Sequence, residues 1–112
     1  MDTHLLAKLG TLRQLEIFLK VAEVGGIALA AEQLYLTQPS VSIQVRKLSE
    51  AVGMPLYEVI GRRLSLTEAG RQVEIAAREI LGTLDRLNSS LNDIKGLQAG
   101  ILRIAVDSSA KY

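Results

Sequence analysis

The stretch from Ala30 to Gly70, AAEQLYLTQPSVSIQVRKLSEAVGMPLYEVIGRRLSLTEAG, changes its local conformational rule several times in quick succession, which leaves few folds open. Small residues at Ala30 and Ala31 let a helix approach its neighbour closely. Thr37 can cap the next helix, and Pro39 fits its first turn, where the missing amide costs nothing. Gly53 and Pro55 end that helix. Leu56 to Val59 and Arg63 to Leu66 then read as two short strands around Ile60-Gly61-Arg62. Thr67 caps a fresh helix, with Glu68 in its positive first turn.

Upstream, Thr11-Leu12-Arg13-Gln14 fits a capping box in which Gln14 reaches back to the Thr11 amide. Leu12, Leu15, Leu19 and Ala22 recur on one face of a first helix, with Phe18 beside them, and Gly25-Gly26 stops it. A second helix is expected from about Ile27 to Tyr35. Leu34 near the end of the second, with Val41, Val45 and Leu48 in the third, supplies one apolar stripe at helical spacing. The other side of the third helix carries Gln38, Ser40, Ser42, Gln44, Arg46 and Lys47, side chains that hydrogen-bond to base edges or neutralise phosphates. The expected fold is therefore mainly α: a winged helix-turn-helix of three helices plus a two-stranded wing over residues 1–66, followed by a long dimerisation helix.

That last helix is predicted over 67–97, roughly 45 Å at 1.5 Å per residue. Ala69, Val73, Ala76, Ile80, Leu84, Leu87, Leu91 and Ile94 follow one another along it by three or four positions. A three-helix head cannot cover so long a stripe, and a second copy of the same helix is the simplest cover. Val73, Ala76, Ile80, Leu84, Leu87, Leu91 and Ile94 are thus the expected dimer seam. The bland alternative is an ordinary core helix. Beyond it, Ile101-Leu102-Arg103-Ile104-Ala105-Val106 reads as the start of a buried strand, so 98–112 is expected to be a hinge and first strand of a further domain.

Composition mainly excludes. At 112 residues, 48% hydrophobic and 22% charged, the chain suits one small globular domain. It has no cysteine and a single histidine, His4, which is read as a terminal residue without a role. Catalysis lacks parts: there is no Gly-rich phosphate loop and no carboxylate cluster with a matched base. Neither a metal site nor a cofactor is implied. No apolar run approaches the length of a membrane span and the start lacks a signal-peptide pattern, so a cytoplasmic setting without membrane contact is expected. The net charge of +1 says little, because a nucleic-acid binder needs its cations on one face rather than in excess. Arg46, Lys47, Arg62 and Arg63 can form such a cluster, with the arginines entering a narrow minor groove or meeting phosphates. Charged hairpin tips are also commonly just exposed. Ile43, apolar on a polar face, is expected in the groove, where it can meet a thymine methyl.

The segment resembles the DNA-binding domain of LysR-type transcriptional regulators over residues 11 to about 107. The matching submotifs occur in order: Ala30, Ala31 and Leu34; Thr37, Gln38, Pro39, Val41 and Ser42; Val52 and Gly53; Leu56 and Tyr57; Leu66, Thr67, Ala69 and Gly70. Gly26, Ser49 and Val59 depart from the family's usual Ser, Glu and Arg. The resemblance implies Gln38, Pro39 and Ser42 nearest the base edges and Thr37 and Ser40 at phosphates. It implies double-stranded operator DNA as partner, a tetramer at full length, and a small-metabolite effector bound by a C-terminal domain whose first pocket loop begins at Ser108 and Ser109. Leu36 to Val45, Ala51-Val52-Gly53-Met54 and the closing Ser-Ser-Ala-Lys-Tyr look like the CbbR branch, regulators of carbon-fixation operons. The expected function is dimeric binding to an interrupted palindrome and activation of CO2-fixation genes. Two alternatives stand beside it: a LysR-type regulator of another pathway, and a winged helix that only binds protein or oligomerises.

Overall fold

The computed structural model describes residues 11–110, with side chains described as far as residue 106. His4 lies outside the described residues. The elements run α1 (Leu12–Val24), α2 (Ile27–Leu34), α3 (Gln38–Val52), β1 (Tyr57–Ile60), β2 (Arg63–Leu66) and α4 (Glu68–Ala110). The chain divides into two units, Met1–Leu81 and Gly82–Tyr112.

In the first unit each helix end is set by a local device. Thr11 caps α1 by accepting from the Gln14 amide at 3.2 Å, and Gly25 closes it in the left-handed region at φ 79°. The capping box is only half made, however. Gln14 turns away from the Thr11 amide and donates its Nε2 to Gln44 Oε1 on α3 at 3.0 Å. Gln14 is buried on the inner face of α1, so its amide finds a tertiary partner. Gly26 begins α2 with extended backbone and no side-chain cap. Gly53 ends α3 at φ 83°.

The core collects Leu15, Ile17, Phe18 and Val21 from α1, Ala30 and Ala31 from α2, Val41, Val45 and Leu48 from α3, then Leu56 and Ala77. Each large member is worth about 1.5–3 kcal/mol of burial. The inner face of α1 is rotated from the expected one: Ile17 and Val21 are buried, while Leu12 is 51% exposed.

The wing is a hairpin with Tyr57 opposite Leu66 and Ile60 opposite Arg63. Leu56, expected as its first strand residue, instead precedes it and is buried. The Leu56 carbonyl accepts from the Thr67 amide at 3.1 Å, and Thr67 Oγ1 donates to the Pro55 carbonyl at 2.7 Å. The same Thr67 oxygen accepts from the Gly70 amide at 3.0 Å and so caps α4. A Cβ on Gly70 would stand 1.9 Å from the Leu56 oxygen. Only glycine permits this approach. Ala69, Val73 and Ile80 then pack against the head core around Ala77, so Val73 and Ile80 are partly covered within their own chain, and Ala76 is exposed. Arg78 joins this part of α4 to α1 through Glu23 at 3.4 Å.

In the second unit, α4 passes Gly96 and Gly100 and continues through Ala110. Ile101–Val106 is therefore helical and exposed, not a buried strand. A strand needs a neighbour for its amides and carbonyls, and the strands among the described residues, β1 and β2, already pair with each other. A helix satisfies those groups internally. The pocket expected at Ser108 and Ser109 depended on that strand; their backbone lies in α4.

Gly70→Ala should cost about 3 kcal/mol, since a backbone oxygen must yield. Gly26→Ser should add a few tenths of a kcal/mol by supplying the missing cap. Urea denaturation of the two variants checks both signs.

Candidate nucleic-acid interface

The turn into α3 is built without a glycine at its tightest point. Tyr35 adopts the left-handed conformation at φ 57°, and the Leu36 amide returns to the Ala31 carbonyl at 2.9 Å. Tyr35 is 95% exposed, so its side chain is free of the core. Thr37 Oγ1 accepts from the Ser40 amide at 3.3 Å and donates its own proton to Ser40 Oγ at 2.8 Å. Pro39 sits in the first turn. The Val41 amide returns to the Thr37 carbonyl at 3.2 Å, so of the first-turn amides the cap leaves that of Gln38, at the positive end of the helix.

Along α3 the buried stripe is Val41, Val45 and Leu48. Gln38, Pro39, Ser42, Ile43, Arg46 and Lys47 are exposed, and Ser40 and Gln44 are half-buried. Ser42 and Arg46 are four apart, as are Pro39 and Ile43, so these side chains share the outer surface. Ile43 is 40% exposed, as its position on the polar face predicts. Ser42 and Arg46 also border the base of the wing, in a cleft with Ser49, Pro55, Leu56 and Tyr57. The fold therefore brings one edge of α3 and the start of the wing together.

At the wing tip, Gly61 and Arg62 both have positive φ, 56° and 68°, the pattern of a two-residue type I′ turn. This conformation matches the twist of the flanking strands but is unfavourable for an arginine. Arg62 and Arg63 are exposed.

Among the described residues of the first unit the cations fall into two groups. Arg13, Lys20, Arg71 and Arg78 each pair with a glutamate. Among the described residues Arg46, Lys47, Arg62 and Arg63 have no carboxylate partner. Four unneutralised cations on α3 and the wing give this face a positive character that the net charge conceals.

One contact is not legible in the sequence, that between Gln14 and Gln44. The polar face of α3 groups Gln44 with the DNA-facing side chains, and the capping pattern assigns Gln14 to the end of α1. Only an α1–α3 contact shows them as a pair, and periodicity along one helix carries no such signal. Gln14 Oε1 is buried without a hydrogen bond, a cost of about 1–3 kcal/mol. Among the described residues there is no metal-binding cluster, and no helix is long and apolar enough to cross a membrane.

Replacing Arg62 by Gly should raise stability by about 1 kcal/mol, because glycine takes the left-handed conformation without a Cβ penalty. Thermal melting of Arg62→Gly would show this as a higher midpoint, and a lower one would contradict the turn assignment.

Comparison with known proteins bears directly on this surface. Residues 12–71 match the model of the bacterial regulatory helix-turn-helix proteins of the lysR family. The chain is 47% identical over 105 residues to the HTH-type transcriptional activator CmpR of Synechocystis, covering 94% of this chain and 34% of that protein. It is 45% identical over 102 residues to the RuBisCO operon transcriptional regulator of Acidithiobacillus ferrooxidans, covering 91% of this chain and 33% of that one. The chain thus spans about a third of the length of these relatives, which are named as regulators and not as enzymes. Among solved structures, the BenM DNA-binding domain in complex with catB site 1 DNA superposes with a TM-score of 0.71 at 31% identity, over 75% of this chain and 94% of that one. With the family model covering both the helix-turn-helix and the wing, this chain belongs to the LysR family of bacterial transcriptional regulators and contains their DNA-binding domain.

Proposed function

We propose that this chain reads operator DNA as a dimer on an interrupted palindrome and activates CO2-fixation genes. The observation that carries the reading is the outer face of α3: Gln38, Pro39, Ser42 and Ile43 are exposed, take no part in the core, and lie beside unpaired Arg46 and Lys47. Base edges are read by the first four. Thr37, Ser40, Arg46, Lys47, Arg62 and Arg63 grip phosphates or the minor groove. The carbon-fixation assignment is supported by relatives named as RuBisCO operon regulators, and activation by the name of CmpR.

Dimerisation is supported by the apolar stripe in the second unit. Leu84, Leu87, Leu91 and Ile94 are 39%, 52%, 44% and 52% exposed in the single chain. Their spacing is that of a helix–helix seam, and a second copy supplies the same spacing. One recognition helix per subunit and a two-fold axis give two half-sites on one face of the duplex. Within a full-length regulator a tetramer and a metabolite-sensing domain follow from the family reading.

Selection from random duplexes tests the whole reading and should return an enriched dyad, matched by sites upstream of carbon-fixation genes. Gln38→Ala or Ser42→Ala should lose about 1–3 kcal/mol on the selected site and little on random DNA. Arg46→Ala should weaken both equally and flatten the salt slope. Equal losses for Gln38→Ala on the two kinds of DNA would place the helix wrongly. A protein that binds no DNA at low salt would leave the protein-interaction module as the reading.

Leu87→Glu places a charge in the seam, where burial without a partner is costly. The head should remain folded, while full-site binding falls towards half-site affinity as the tether is lost. Sedimentation combined with half-site and full-site titrations checks this. A dimeric Leu87→Glu protein with intact full-site affinity would put the seam elsewhere.

A further inference from the structure

Beside the base-reading face of α3 lies a second polar stripe. Ser40, Gln44 and Lys47, at successive spacings of four and three, run along the flank that faces α1. With Thr11, Arg13 and Gln14 they line a cleft between the two helices. This flank is separate from the edge at Ser42, Arg46 and Ser49 that borders the wing.

Gln44 decides what the cleft can bind. A carboxamide carries one acceptor oxygen and one donor nitrogen, and its use depends on which end is held. Here Gln14 Nε2 donates to Gln44 Oε1 at 3.0 Å, so the acceptor end is held against α1. Gln44 Nε2 is left as a donor. Glutamine can read adenine bidentately only with both atoms, so this arrangement disables that mode. It suits a ligand that only accepts, lying beside Lys47 and the Ser40 hydroxyl. A DNA phosphate is such a ligand.

Resting on the DNA-binding reading above, we propose that Gln14 is a positioning residue that locks Gln44 as a donor to one backbone phosphate per half-site. Gln14 need not touch DNA. It acts by fixing the orientation of a side chain on the recognition helix, from a neighbouring helix that no base-contact argument would include. The buried, unbonded Gln14 Oε1 accords with this role, because an apolar side chain of the same shape would fill the space without an orphan.

The test uses Gln14→Met, similar in shape and without hydrogen-bonding atoms. The wild-type chain, Gln14→Met, Gln44→Ala and the double variant are titrated against the selected duplex and a random one. They are then titrated against selected duplexes carrying a single methylphosphonate at each position in turn. Gln14→Met should melt no lower than the wild type yet bind both duplexes about five- to tenfold more weakly. One neutralised phosphate per half-site should weaken the wild type and leave Gln14→Met and Gln44→Ala unaffected. The double variant should bind no worse than Gln44→Ala alone, since residues acting in series do not add. Unchanged affinity of a folded Gln14→Met protein overturns the proposal, as do additive losses. If Gln14→Met does not fold, Gln44→Ala decides: a methylphosphonate profile identical to wild type overturns it. A wild-type chain that binds neither duplex removes the DNA reading itself, whereas wild-type binding with an insensitive Gln44 removes only this inference.

Discussion

Everything that places the wing depends on one backbone approach, the Leu56 carbonyl lying where a side chain of residue 70 would otherwise be. Leu56 is buried in the head, so its carbonyl is a fixed point. Thr67 joins this point to α4 by three hydrogen bonds: its amide donates to the Leu56 carbonyl, its hydroxyl donates to the Pro55 carbonyl and accepts from the Gly70 amide. The two ends of the hairpin are thereby held together, and a pair of four-residue strands marginal by itself is anchored to the core through Tyr57, Leu64 and Leu66. The same contact sets where α4 begins, and Ala77 and Arg78 then bind its first turns to the head. Wing and helix start are one construction.

On that frame the surface is sorted by charge pairing. Cations on α1 and the beginning of α4 lie against glutamates at distances typical of exposed pairs, which add little stability. Those on α3 and the wing stand unpaired. A sequence with almost equal numbers of acidic and basic residues can therefore hold a positive face, because position, not total, decides the local field.

Much of this was legible in the sequence because it rests on residues with narrow conformational preferences. Gly25, Thr37, Pro39, Gly53 and Thr67 mark helix ends for reasons local to each residue, and the described ends fall there. The family and fold followed from their order. What was not legible depends on distant partners. Ile101 to Val106 is a run whose composition suits a strand, but strand formation requires a neighbour, and without one the backbone closes on itself as helix. Period alone cannot tell which neighbour covers the stripe on α4; the head partly covers Val73 and Ile80 and buries Ala77, which the stripe does not include. Gln14 satisfied a local pattern but was claimed by Gln44, thirty positions away.

The Thr37–Ser40 pair has a consequence of its own. Thr37 Oγ1 donates a hydrogen bond to Ser40 Oγ, so a lone pair of Ser40 is occupied from inside while the Ser40 hydroxyl proton stays available. The Thr37 hydroxyl and the Ser40 amide are both spent within the turn, so the donor that this pair leaves over is the Ser40 hydroxyl. Mobile ions attenuate the pull of exposed arginines over about a Debye length, but they do not reverse the direction of a fixed O–H or N–H group. Concentrated salt should thus remove reach before it removes discrimination: partners would be captured from shorter distances, yet still sorted by whether they can accept.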